Sequence, residues 1–104
     1  MPTIKRLQKA KRIYDNKAGI RAERHAIYDT QRWRHLRDAK FIENPICEIC
    51  LKNGIIRPAD DIHHIQSFMS VPAGDARRAL AFDFENLMSL CKECHAKIHA
   101  GGMG

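Results

Sequence analysis

The chain lacks most of what a large core, a membrane span or a secretory route would require. One Trp, two Tyr and four Phe are all the aromatics that 104 residues offer. A core of this size buries a modest share of its surface, so an additional staple is expected. No stretch approaches the roughly 18 apolar residues of a membrane span. Met1 to Arg12 is basic without the apolar block of a secretory signal, so the reading is a protein kept in a reducing cytoplasm. In that compartment four cysteines are better read as metal thiolates than as disulfides.

Acidic residues are scarce at one end only. The formal net charge is +6, and residues 1–43 carry twelve Lys and Arg against five acids. The remainder carries six against seven, so a cationic segment adjoins a nearly neutral body. Such asymmetry suits a polyanion, because neutralising phosphates releases counterions. A merely solvated basic helix would look the same by charge alone.

Residues 1–28 hold many charges and few large apolar side chains, with Gly19 interrupting two short helical stretches; partial order is expected there. From about Thr30 the run QRWRHLRDAKFIEN predicts a helix that places Trp33, Leu36 and Ala39 on one face, capped by Asp29 or Thr30 and stopped by Pro45. Because it leads straight to Cys47, Trp33 and Leu36 are expected to pack over the cysteine knot. Asn53-Gly54 signals a turn, and Ile55–Arg57 and Asp61–Ile65 read as short strands. Ser67–Arg78 reads as a loop, Asn86–Leu90 as a second strand, and Lys92 to about Ala100 as a helix ended by Gly101-Gly102.

Two Cys-x-x-Cys pairs, Cys47/Cys50 and Cys91/Cys94, are the strongest signal in the chain. Each pair can turn both sulfurs to one point, and together they supply four thiolates for a closed tetrahedral zinc site. With no position left for substrate, that zinc would be structural. A C2H2 finger would need a histidine at 67 to 69, where Ser67, Phe68 and Met69 stand. A nucleobase deaminase would need His-x-Glu with Pro-Cys-x-x-Cys, and neither is present.

Four of the six histidines form two groups, His63-His64 and His95 with His99. Positions i and i+4 share a helix face, so His95 and His99 can offer two nitrogens to one ion. The knot draws strand and helix together, which makes His63 the natural third ligand and leaves positions open for water and a phosphate oxygen. Neighbours on a regular strand face opposite sides, so His63 and His64 would meet at one centre only across a bend or bulge. His25 and His35 are expected at the surface.

The segments Asp61-Ile-His63-His64-Ile65, Phe84-Glu-Asn86-Leu87 and Leu90-Cys91-Lys-Glu-Cys94-His95-Ala-Lys-Ile-His99 together resemble the HNH endonucleases. Arg32-Trp33-Arg34-His35-Leu36-Arg37 and Asn44-Pro45-Ile46-Cys47 resemble their small phage-type branch with a four-cysteine zinc site, associated with DNA packaging or restriction. The resemblance spans about residues 30–100 and is specific in order and spacing. It implies a small α+β fold, a ββα-metal finger built around a four-cysteine structural zinc and preceded by a basic helical segment. Residues 1–28 would then be the arm and 29–104 the nuclease domain.

By the same resemblance His64 matches the general base, Asn86 the residue that orients it through backbone contact, and His95 the last motif histidine. His63, His95 and His99 would hold a catalytic divalent ion. All-imidazole ligation suits Zn, Ni or Co, while the family admits Mg or Mn. Double-stranded DNA would be the substrate, with Arg32, Arg34, Arg37 and Lys40 contacting its phosphates, phage packaging proteins as candidate partners, and a bacterial or phage-infected cytoplasm as the setting. The competing reading is a non-catalytic zinc module that presents its basic face to DNA or to a protein.

Overall fold

The computed structural model describes residues 19–100. The expectations for residues 1–18 and for Gly101-Gly102 lie outside that range. The chain divides into two units, Met1–Thr30 and Gln31–Gly104. In the first, residues 19–28 are helical (α1), and the helix ends where the Thr30 hydroxyl donates to the Ile27 carbonyl at 2.7 Å.

The second unit starts with α2, Gln31–Glu43, within two residues of the run read as helical. The Cys47/Cys50 pair then sits on a single helical turn, α3, Glu48–Lys52, for which the sequence carries no periodic signal. Its geometry is set by the backbone: Cys47 N–H donates to Arg57 O at 2.8 Å, and Ile55 N–H to Cys50 O at 2.9 Å. Between these bonds the chain reverses at Asn53-Gly54, where Gly54 takes φ +75°, a value that costs a glycine little. Residues 55–57 are not a strand, contrary to expectation; an isolated bridge joins Ile46 to Pro58 instead. Proline cannot donate to a ladder, which limits pairing at that point.

Strands β1, Asp61–His64, and β2, Leu87–Leu90, form the two-stranded antiparallel sheet. Their register pairs Asp61 with Leu90, Ile62 with Ser89, His63 with Met88 and His64 with Leu87. The expected loop at Ser67–Arg78 contains a 3-10 turn at Phe68–Ser70 and continues into α4, Asp75–Ala81. Pro72 and Gly74 punctuate the segment without preventing the DARRALA run from winding into a helix behind them. The chain closes with α5, Lys92–Ala100, whose first turn is fixed by the Asp60 carboxylate accepting from Lys92 N–H at 2.9 Å.

Cys47, Cys50, Leu90 and Cys91 form the buried cluster, with Ile49, Met88, Cys94 and Ile98 packed against it. So small a core buries little apolar surface, which is why a metal staple suits it. Trp33 is buried, but it lies on His64 and not on the cysteine cluster, correcting the expectation that it covers the knot. The reason is that α2 packs across the sheet, which puts its indole on the hairpin.

Candidate active site

The cysteine sulfurs converge as the spacing predicts. One ligand atom from each of Cys47, Cys50, Cys91 and Cys94 lies within 4.8 Å of the others. Cys50 Sγ is 3.9 Å from Cys91 Sγ and 3.7 Å from Cys94 Sγ. A tetrahedron with Zn–S bonds of about 2.3 Å has edges of about 3.8 Å, so the donor set fits zinc. Burial raises the Cys94 thiol, and the neighbouring sulfurs add to it, to about 12. For Cys47 burial also acts upward, but hydrogen bonds from the backbone of Cys50 and Cys91 and from the thiols of Cys50 and Cys94 together outweigh it and bring the thiol down to about 6. Four sulfurs so close cannot all ionise without a cation among them.

The histidine group is carried by β1 and α5. β1 is regular, with no bulge at residues 63 and 64, so the two imidazoles face opposite sides of the sheet. His63 faces α5: its ring centroid is 5.2 Å from that of His95 and 5.7 Å from that of His99. One nitrogen from each of the three lies within 4.8 Å of the others, and His95 Nε2 and His99 Nε2 are 3.0 Å apart. Two nitrogens at right angles around an ion with bonds of about 2.1 Å stand about 3.0 Å apart, so these residues fit a divalent ion with room for further ligands. Burial lowers the pKa of His63, and the adjacent imidazoles lower it further, which keeps a lone pair available for a metal.

His64 turns the other way. Its ring stacks on Trp33 with centroids 4.9 Å apart and meets Phe68 edge-on at 4.9 Å. Its Nε2–H donates to the Ala81 carbonyl at 2.9 Å, which selects the tautomer whose basic nitrogen is Nδ1. Burial lowers its pKa, with the Ala81 bond opposing.

Asn86 does not bond to His64 itself. Its Oδ1 accepts from Gln66 N–H at 2.9 Å, and its amide donates to Gln66 O at 2.9 Å and Leu80 O at 3.1 Å. It therefore clamps the backbone on both flanks, one residue from the carbonyl that holds His64.

The expected phosphate contacts divide into two kinds. Arg32 lies over the Phe82 ring at 4.4 Å, and Arg32 and Arg34 are exposed, while Arg37 is half-buried beside Asp38 at 3.5 Å. Lys40 departs from expectation, because it is 7% exposed and turned inward. Its ammonium donates to Asn44 Oδ1 at 2.9 Å, stands 3.5 Å from Glu48 Oε2 and lies 5.2 Å from the Phe84 ring centroid. That corrects its assignment to DNA. His25 and His35 are exposed, as expected.

Three contributors go beyond what sequence reasoning found. The Ala81 carbonyl leaves no signal, being backbone, and Trp33 meets a different partner from the one expected. Asp61 does leave one: two residues before His63 on a strand, it shares that residue's face.

A hairpin strand and a following helix that converge three imidazoles beside a four-cysteine knot define a ββα-metal architecture. Residues 47–101 match the family model described as HNH endonuclease, and the chain belongs to that family. The crystal structure of the deep-sea thermophilic bacteriophage GVE2 HNH endonuclease with manganese ion is similar, with a TM-score of 0.64 and 26% identity over 86% of this chain and 92% of that one. No match was found among curated proteins. The protein is a nuclease, and the α+β fold expected from its sequence is the one observed.

Proposed function

We propose that the chain is a metal-dependent DNA endonuclease that hydrolyses phosphodiester bonds with His64 as general base. The observation that carries this reading is the separation of roles on β1: with no bend or bulge at residues 63 and 64, the strand brings only His63 into the metal group and leaves the base role to His64. His63 meets His95 and His99 on one face, and His64 is anchored through Nε2–H to Ala81 O on the other.

His64 takes the proton of the attacking water at Nδ1, with Nε2–H anchored on Ala81 O. Burial favours the neutral imidazole, the form able to accept that proton. Asn86 keeps the carbonyl in place through Leu80 and Gln66. His63, His95 and His99 would hold the divalent ion, which when bound would supply charge relief at the phosphate and the leaving 3′ oxygen. As the water oxygen bonds to phosphorus the P–O3′ bond breaks, and the departing 3′ oxygen takes a proton from solvent, leaving 5′-phosphate and 3′-hydroxyl ends. The GVE2 relative was solved with manganese, so Mn is the ion of first choice. Cys47, Cys50, Cys91 and Cys94 would hold a structural zinc that ties strand to helix.

The basic residues of positions 1–43 other than Lys40, with Arg32 and Arg34 among them, supply phosphate contacts that position duplex DNA without reading sequence. Phage packaging proteins would direct such a small enzyme to its substrate. Plasmid nicking by zinc-loaded protein with added Mn tests the reading. Wild-type protein should cut, and His64→Ala should lose about two to four orders of magnitude in rate while keeping its fold and DNA binding. Equal cutting by the variant would remove His64 from the mechanism.

A further inference from the structure

The three histidines of the proposed centre do not stand unsupported. His95 Nδ1 lies 3.2 Å from Asp61 Oδ2. A carboxylate accepts, so His95 carries its proton on Nδ1 and turns the Nε2 lone pair toward His99 Nε2, 3.0 Å away. The carboxylate is placed by the sheet, since Asp61 pairs with Leu90 and shares with His63 the face that looks at α5. The neighbouring Asp60 does a separate job: it accepts from Lys92 N–H and fixes the start of α5. Two consecutive acids thus reach one helix, one at its backbone and one at its metal-facing side chain.

We infer that Asp61 is a positioning residue for the catalytic ion, acting through His95 by fixing its tautomer and ring orientation. Carboxylates behind ligating imidazoles raise ligand basicity and reduce the freedom lost on binding the ion. Asp61 lies outside the three-residue donor group, so its action passes through His95 and not through a bond to the ion. The inference rests on His95 being a ligand, as proposed above, yet it concerns metal affinity and tautomer and does not require that DNA be cut.

The test uses the full-length zinc-loaded chain. Nitrogen-15 spectra of the imidazoles, recorded before the second ion is added, report the His95 tautomer. Mn titration followed by electron paramagnetic resonance reports affinity. Asp61→Ala should release His95 into a mixture of tautomers and weaken Mn binding by about ten- to a hundredfold. Asp61→Asn, which keeps the shape and an accepting oxygen, should retain the tautomer and recover most of the affinity. It also covers the case in which the alanine variant fails to fold. Asp60→Ala, which removes only the helix-start bond, should leave the His95 tautomer unchanged.

Unchanged tautomer and unchanged Mn affinity in Asp61→Ala would overturn the inference. So would weaker Mn binding with the tautomer intact, since that result makes Asp61 a direct ligand. If the tautomer and affinity respond as expected but no variant or wild-type protein cuts DNA, the nuclease mechanism fails and the role of Asp61 stands.

Discussion

The indole of Trp33 lies on the imidazole of His64, with ring planes 24° from parallel and centroids 4.9 Å apart. This contact joins a helix that precedes the matched family region, residues 47–101, to the base of the proposed reaction. Trp33 is 4% exposed and His64 7%, and each ring covers one face of the other. Burial penalises the charged imidazolium and lowers the pKa of His64 below its ordinary 6.5.

The sign of the pH effect follows. A base is active when neutral, so cutting should rise as pH increases through the folded pKa and level off above 6.5. Its acid limb should therefore have a midpoint below that value. Trp33→Leu retains apolar volume but removes the stacked ring, and should move the midpoint upward toward 6.5. The measurement is the pH profile of plasmid nicking at saturating Mn. Identical midpoints would mean that the indole plays no part in holding the base neutral.

Lys40 gives a prediction opposite to the one its charge suggests. Its ammonium faces Asn44 and Glu48, and Glu48 Oε2 also accepts from Ser89 N–H at 2.6 Å, tying α2 and α3 to β2. Lys40→Ala should cost about 1–3 kcal/mol of stability by leaving that carboxylate short of a partner. DNA affinity at fixed ionic strength should hardly change. Denaturant unfolding and filter binding separate the two, and a stable variant with weak DNA binding would return Lys40 to the DNA interface.

Asn86 should be intolerant even of an isosteric change. Its side chain satisfies one backbone amide and two carbonyls at once. Asn86→Asp keeps the acceptor for Gln66 N–H but sets a carboxylate against Gln66 O and Leu80 O. The segment carrying Ala81 O should shift, and the cutting rate should fall by about tenfold or more, which corresponds to a loss of at least about 1.4 kcal/mol in the transition state. Mn affinity should be preserved, because the side chain's hydrogen bonds go to the backbone of Gln66 and Leu80 and not to the imidazoles of His63, His95 and His99. A variant that loses metal binding instead would place Asn86 at the ion.

The features legible in the sequence are those set by local spacing. Cys-x-x-Cys turns, an i, i+4 histidine pair and Lys92–Ala100 all follow from local geometry, and each lies where the spacing puts it. What stays hidden depends on tertiary placement. Whether Trp33 meets the knot or His64 depends on how α2 crosses the sheet, and whether Lys40 points out or in depends on Glu48 arriving from the next helix. The α4 segment is obscured by its own punctuation, since Pro72 and Gly74 read as loop while Asp75–Ala81 winds into a helix. Asp61 is readable in principle, because strand alternation already places it beside His63.

The last prediction concerns residues 1–28, whose eight Lys and Arg stand against two acids. If these cations neutralise phosphates, each one engaged releases counterions and contributes about 0.9 to the negative slope of log affinity against log salt on duplex DNA. Deleting residues 1–28 should therefore weaken binding most at low salt and flatten the slope in proportion to the number of phosphates no longer neutralised. Arg32 and Arg34, which remain, should preserve a residual slope. Removing the arm leaves His63, His64, His95 and His99 in the second unit, so cutting at saturating DNA should persist while half-saturation moves to higher DNA concentration. A salt series with full-length and shortened protein measures the slopes directly. Equal slopes would mean that the arm's charge acts elsewhere, and the phosphate contacts would then have to come from residues 31–100 alone.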